Sequence, residues 1–377
     1  MSRNQVCDTE VYKNYCLIGF KDAVTGKVQS CEAFGGKFSL EDREWMHKMM
    51  RKHTIIGFNQ IGFDNCIIYA AIAGFSCRDL KRIADDIIIE EMRPWEIEDE
   101  YKFKIPRNLD VIDLIEVAPG SASLKIYNGR IHGRRMQDLP IEPDAVLTDD
   151  EIERTYDYWV NDLDATLGLW KALKVQLDLR EAMSKEYGVD LRSKSDAQVA
   201  EAVIKVGITK YLGKPPKRPQ FKAGQRYRYN IPDFIKFDSK EMNDLLDDIY
   251  ESWFKLSVTG KILMPSALKD RDIKIGNSVY RMGIGGLHSS EEKISHVTDD
   301  EYIMIDRDVE SYYPRIIINL GLAPKQLGKA WLHVYEGIVN RRIKAKAEEK
   351  RLKKEIEDLE AAIAQANRPS ELMVERK

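Results

Sequence analysis

The chain has 377 residues, 43% hydrophobic and 32% charged, the balance of an ordinary soluble globular protein with room for two or three domains. No run approaches the roughly 18 apolar residues needed to span a bilayer, and the opening MSRNQVCDTE lacks the apolar core of a signal peptide, so a cytoplasmic location is expected. With 59 Lys and Arg against 62 Asp and Glu the net charge is −3, so any nucleic-acid footprint must be local; the five cysteines (Cys7, Cys16, Cys31, Cys66, Cys77) form no CxxC pair and read as reduced and buried.

In chain order, Cys7–Val11 and Tyr15–Phe20 read as strands joined by a turn, with Thr25-Gly26 as the next turn signal. Leu40–His53 reads as a helix capped by Ser39, with Glu41 and Asp42 in a first turn where the helix dipole favours anions. Thr54–Phe58 reads as a short apolar strand, Cys66–Ala73 as a buried helix, Leu109–Val117 as a strand and Asp149–Glu181 as one long amphipathic helix. This alternation predicts an α/β layer domain over residues 1–190. Residues 191–300 read as irregular and basic, with turn signals at Pro215-Pro216 and Gly285-Gly286. A third region, 301–340, opens with the strand Tyr302–Ile305 and turns helical after Pro314. In 341–377 charge dominates, but Leu352, Ile356, Leu359 and Ile363 keep a 4-3-4 spacing that gives a helix one apolar face.

Between Lys205 and Lys236 the basic residues Lys205, Lys210, Lys214, Lys217, Arg218, Lys222, Arg226, Arg228 and Lys236 are opposed only by Asp233 and interleaved with Tyr211, Phe221, Tyr227, Tyr229 and Phe234. Basic groups neutralise phosphates and aromatics stack on bases, so the segment has the composition of a single-strand groove, and equally that of a solvated Pro-rich linker.

The acidic residues carry a sharper signal. Asp8 and Glu10 stand two apart at a strand end, so both side chains leave one face, where they repel unless cations neutralise them, although the pair by itself reads rather as a solvated strand end. Asn59-Gln-Ile-Gly-Phe63-Asp64 follows a strand and opens a helix, and Tyr158 and Asp162, four apart, share one helical face. These three segments, in this order, resemble the motifs Asp-x-Glu, Asn-x(2–3)-Phe/Tyr-Asp and Tyr-x(3)-Asp of the DEDD exonucleases attached to DNA polymerases, in their tyrosine-bearing form. The stretch Asp162-Leu-Asp-Ala-Thr166-Leu-Gly-Leu169 extends the likeness.

The resemblance implies a ribonuclease-H-like domain, a mixed sheet with flanking helices, that removes nucleotides 3′→5′ from single-stranded or frayed DNA with two Mg²⁺ or Mn²⁺ ions. It implies that Asp8 bridges the ions, Glu10 and Asp162 complete the site that activates water, Tyr158 orients that water and Asp64 helps to hold the second ion. It further implies that Asn59 and Phe63 contact the last nucleotides, a core position for Phe63 being an equal alternative, and that Ser123-Leu124 in SASLKIY grips single-stranded DNA. Thr9, Asp110, Asp113, Asp157 and Asp164 fall outside the motifs and are not expected as ligands.

Further on, Asp306-Arg-Asp308-Val-Glu-Ser311-Tyr-Tyr313-Pro314-Arg-Ile-Ile resembles the first palm motif of family B DNA polymerases, with Tyr312 in place of leucine. The likeness implies that Asp308 is a metal ligand of a polymerase site, that Ser311 and nearby amides face the incoming triphosphate, and that Tyr313 is the gate against a ribose 2′-hydroxyl. Gly283-Ile-Gly285-Gly286-Leu-His288 resembles the template-contacting Tyr-x-Gly-Gly element, with glycine where its tyrosine should be; a plain Gly-rich turn is the alternative. Neither a Lys-x(3)-Asn-Ser-x-Tyr-Gly helix nor an Asp-Thr-Asp hairpin follows. The expectation is therefore the N-terminal part of a phage-like family B polymerase, an exonuclease domain followed by an incomplete palm over 301–340 and a first fingers helix over 341–377. It is expected as a natural split subunit that needs a second polypeptide for synthesis, or as a truncated product, acting in host cytoplasm on single-stranded and primer-template DNA. A stand-alone exonuclease is the runner-up, against which the palm motif speaks. An inactive DNA-binding or assembly subunit of a replisome is the alternative, against which the intact acidic set speaks.

Overall fold

A computed structural model describes residues 3–217, 220, 222–276, 278–290 and 295–366. The chain divides into two compact units, Met1–Lys210 and Tyr211–Lys377.

The first unit is a mixed α/β layer. Its sheet runs β3-β2-β1-β4-β5, formed by β1 (Asn4–Val11), β2 (Tyr15–Asp22), β3 (Val28–Phe34), β4 (Thr54–Gly57) and β5 (Val111–Asp113). The first three strands are antiparallel, in the register Asp8↔Gly19 and Glu10↔Leu17, while β4 and β5 join parallel to β1. Side chains alternate along β1, so Cys7 and Val11 enter one apolar layer and Val6 another. On the Cys7 side lie α1 (Leu40–Lys52), α2 (Asp64–Ala73), α3 (Cys77–Ile88) and α4 (Pro94–Tyr101), which bury Met46, Ile67, Leu80 and Ile97. On the Val6 side, after the single turn α5 (Leu114–Val117) and the short α6 (Leu124–Arg130), lies α7 (Asp149–Ala172), which buries Trp159, Leu163 and Leu169. The layer ends with α8 (Lys174–Tyr187) and α9 (Asp196–Leu212).

Local chemistry accounts for the ends of these helices. Ser39 caps α1 with a capping box, its hydroxyl accepting the Asp42 amide at 3.1 Å while Asp42 reaches back to the Ser39 amide. Thr148 and Glu151 do the same for α7, and Asn14 clamps the approach to that helix through paired bonds with the backbone of Leu147 at 2.8 and 2.9 Å. All five cysteines are free and buried.

Several elements differ from expectation. The single helix Asp149–Glu181 breaks at Leu173, whose side chain is buried while its backbone leaves helical geometry, so α7 and α8 meet at a one-residue bend. Leu109–Val117 is strand only over β5 and then turns directly into α5, because Asp113 accepts the Ile115 amide and caps it. The buried helix starts at Asp64 rather than Cys66.

The second unit is more ordered than its composition implied. Besides the last part of α9 it holds α10 (Lys240–Glu251) and two three-stranded sheets. One is β6 (Arg226–Tyr227), β7 (Phe254–Leu256) and β8 (Ile262–Leu263); the other is β9 (Asp272–Ile275), β10 (Ser278–Gly283) and β11 (Gly286–Ser289). Leu245, Leu268 and Ile273 form its small core. The expected strand Tyr302–Ile305 is not formed: these residues have no strand partner among the described residues and are 60–80% exposed. A strand exists only through hydrogen bonds to a neighbour, and apolar composition alone does not supply one. The next helix, α11 (Tyr312–Asn319), starts two residues before Pro314, which a first helical turn tolerates. The long α12 (Gly328–Ala366) leaves Leu352, Ile356, Leu359 and Ile363 43–60% exposed.

One close approach sets the spacing between β2 and α7. A Cβ added at Gly19 would stand 2.6 Å from both Trp159 Cζ2 and the Gln29 carbonyl. Gly19→Ala is therefore expected to lower stability by about 1–3 kcal/mol, the usual cost of overpacking. Denaturant unfolding of the variant measures it; an unchanged midpoint would show that the two layers are not in contact there.

Candidate functional site

The site grows from β1. Asp8 and Glu10 leave the same face of this central strand, and α7 crosses that face. The helix is fixed in place by Trp159, fully buried, whose indole N–H donates to the Asp8 carbonyl at 3.0 Å. One turn of helix then carries both Tyr158 and Asp162 to the strand's acidic pair. One carboxylate oxygen each from Asp8, Glu10 and Asp162 lie within 4.8 Å of one another. Glu10 is only 9% exposed, and Asp8 and Asp162 are half-buried, so water screens their repulsion poorly.

That repulsion is visible in the protonation equilibria. Burial first, then the charges of Asp64, Glu10 and Asp162, hold the Asp8 carboxyl well above the usual carboxylate range. Burial together with Asp162 and Asp64 does the same to Glu10. Burial raises Asp162 to about 6, although hydrogen bonds from Tyr158 and Asn161 favour its ionised form. The Tyr158 phenol, pushed upward by burial and by Asp162, stays neutral and donates to that carboxylate. Three oxygen ligands that resist ionisation in isolation are the donor set a hard divalent cation satisfies. The cluster could hold a metal ion.

Asp64 is near but not within this cluster. It opens α2, is buried, and its Oδ1 accepts the Thr9 hydroxyl at 2.8 Å. Burial raises its carboxyl to about 7, with Asp113 contributing, against the lowering effect of Thr9. Thr9 and Asp113, set aside as ligands, thus have positioning roles that the sequence did not reveal. Asp113, at the end of β5, accepts the backbone amides of Asn59 and Ile61 at 2.9 and 2.8 Å. These bonds hold the loop before Asp64, in which Asn59 adopts a left-handed backbone (φ 62°). Of the other acids outside the motifs, Asp110 is bonded by Arg3, Arg192 and Thr54, and Asp164 pairs with Lys21.

The expected DNA-contacting residues have evident structural tasks. Phe63 precedes α2 and packs half-buried on the core, the alternative its position left open. Ser123 caps α6, accepting the Ile126 amide, and Leu124 packs on the layer beneath α7. In the second unit Asp308 is exposed, in the irregular segment before α11. Ser311 has a left-handed backbone (φ 53°), and its hydroxyl accepts a bond from Arg342 at 3.1 Å. Tyr313 donates to the Gly285 carbonyl at 3.3 Å, which joins it to the Gly-rich turn. The basic segment is not a single irregular stretch: Lys205 and Lys210 lie on α9, Arg226 opens β6, and the Arg228 guanidinium sits 4.7 Å from the Trp253 ring centroid. Arg218 and Phe221 lie outside the described residues.

No protein-family model, curated protein or solved structure matches the chain. No helix among the described residues is long and apolar enough to cross a membrane.

The raised carboxyls give a signed prediction. Asp64 and Asp162 titrate near 7 and 6 in the fold but lower when unfolded. Between about pH 4 and pH 7 the native state therefore holds more protons, and its stability falls as pH rises. In chelator the melting temperature should drop from about pH 5 to about pH 8, and Mg²⁺ or Mn²⁺ should restore it at the higher pH by binding the ionised set. Asp8→Asn should remove the metal effect while lessening the drop. Melting curves insensitive to both pH and cation would show that these acids form no cation site.

Proposed function

We propose that this chain is a metal-dependent 3′→5′ DNA exonuclease joined to the opening of a family B polymerase palm. The observation that carries the reading is the convergence of Asp8, Glu10 and Asp162 within 4.8 Å, with Tyr158 hydrogen-bonded to the last of them. The antiparallel β3-β2-β1 followed by parallel β4 and β5 is a mixed sheet with flanking helices, which is compatible with a ribonuclease-H-like domain.

On this reading Asp8, Glu10 and Asp162, with Asp64 near them, would hold Mg²⁺ or Mn²⁺. Bound there, the ions would supply acidity to a water molecule and counter-charge for the departing 3′ oxygen. The residues themselves divide the remaining work. Tyr158 keeps its proton and can donate to the attacking water or to a phosphate oxygen without adding negative charge. Glu10 and Asp162, ionised when a cation is held, would complete the site that activates the water. Trp159 and Gly19 fix the separation of the two acidic elements, so the carboxylates are preorganised rather than gathered by substrate.

The test is a 5′-labelled single strand incubated with the purified chain and Mg²⁺ or Mn²⁺. A ladder shortening from the 3′ end is expected, and Asp8→Ala with Glu10→Ala should slow it by at least about 10³-fold, the scale of metal-ion catalysis. Undiminished cleavage by the double variant overturns the assignment.

Asp308, Ser311 and Tyr313 are the polymerase half of the proposal. Two-metal transfer of a nucleotide needs carboxylates from two palm strands and a cation on the triphosphate, and the 377 residues contain only the first acidic motif. With its exonuclease silenced, the chain is expected to extend a primer only when a polypeptide bearing the Asp-Thr-Asp and lysine motifs is added. The exposed stretch Tyr302–Ile305 and the exposed apolar row of α12 would be the surfaces that polypeptide covers. Template-directed extension by the chain alone excludes the split arrangement.

A further inference from the structure

Beside the acidic cluster, along the flank of α7, lies a cleft of about 730 Å³ whose other wall is the turn after α6. The helix lines it with Asp157, Asn161, Asp164, Gly168 and Lys171, a 4-3-4-3 spacing that makes one stripe on its surface. From Asn161 to Lys171 this stripe is about 15 Å long, at roughly 1.5 Å of rise per residue. Its near end touches the site already described, because the Asn161 side chain bonds the Asp162 carboxylate.

The opposite wall is rigid. Asn128, buried, donates from Nδ2 to the Arg135 carbonyl at 2.8 Å and accepts the Gly133 amide on its own carbonyl at 2.8 Å. A Cβ at Gly133 would stand 1.7 Å from Asn128 Oδ1, so only glycine fits, and His132 is held at φ 56°, a conformation that costs a non-glycine residue. This turn presents Arg134 and Arg135, both exposed, to the cleft.

Charge decides what the cleft suits. Asp164 is already paired with Lys21 of β2, which leaves Arg134, Arg135 and Lys171 facing Asp157. A polyanion approaching three clustered carboxylates is repelled, and cations on both walls of the adjoining cleft, Lys171 on the helix and Arg134 and Arg135 on the turn, offset that repulsion at more than one point, where a compact anion would use only one. We propose that this cleft is the track for the phosphodiester backbone of the strand whose 3′ end enters the acidic cluster, with Arg134, Arg135 and Lys171 neutralising its phosphates. The inference rests on the exonuclease reading for the direction of the strand.

The experiment measures binding of a fluorescein-labelled single-stranded oligonucleotide to the full chain in chelator, over about 50–200 mM salt, for the parent and for Arg134→Gln/Arg135→Gln/Lys171→Gln. At about 0.7 per phosphate contact on a single strand, the slope of log Kd against log salt should become shallower by about 2. Arg134→Lys/Arg135→Lys should keep the parent slope. If the triple variant fails to fold, Arg134→Gln alone should lose about 0.7 of slope. Equal affinity and slope in parent and neutralised variants overturns the track. Cleavage of the same strand by the parent with Mg²⁺ is scored separately: its absence removes the exonuclease reading, whereas cleavage with an unchanged slope removes only the track.

Discussion

Like charges forced together on one face of a buried strand are the constraint around which the first unit is built. Asp8 and Glu10 leave β1 on the side covered by α7, and the helix brings a third acid, Asp162, within the same 4.8 Å. A core position of this kind would ordinarily be apolar, and each unneutralised acid there lowers stability. The surroundings oppose that loss at several points. The Trp159 indole ties the helix to the backbone of Asp8, Tyr158 and Asn161 hydrogen-bond Asp162, and Thr9 from the other face of the strand restrains Asp64. The fold thus holds the acids at a separation that suits a cation rather than letting them splay into solvent.

What the sequence disclosed of this arrangement was local. Two-residue spacing on a strand and four-residue spacing on a helix put Asp8 with Glu10 and Tyr158 with Asp162 without knowledge of the fold, and the Ser39 cap followed from the residue types alone. The bonds that join these pairs were hidden: Thr9 to Asp64, Asp113 to the loop at Asn59, and Trp159 to Asp8 span 55, 54 and 151 residues. They depend on strand order, which the residue pattern left open. The bend at Leu173 leaves no mark in the residue pattern because apolar periodicity continues through it. In the basic region composition masked a legible helix, for Met242, Leu245 and Ile249 behind the Ser239 cap have helical spacing.

The second unit shows the opposite balance. Its two small sheets and α10 enclose few fully buried side chains, while the run from Tyr302 to Ile305 and the far end of α12 leave large apolar groups in water. Regions with few buried apolar contacts open at low cost, so these elements are the ones whose order responds most to added surface. Ser311, left-handed with its hydroxyl bonded by Arg342, and Tyr313, bonded to Gly285, are tied to other parts of this unit.

Trp159 has a further consequence. Of the six tryptophans it alone is wholly shielded from solvent, with its ring against the backbone of Gly19 and its nitrogen on the carbonyl of an acidic residue of the cluster. An indole so placed emits at the blue edge of the protein's fluorescence, and its excited-state dipole lies in the field of whatever charge occupies the neighbouring carboxylates. The protein therefore contains its own optical probe of the site, one that reports the arrival of a cation or the parting of strand and helix without any label.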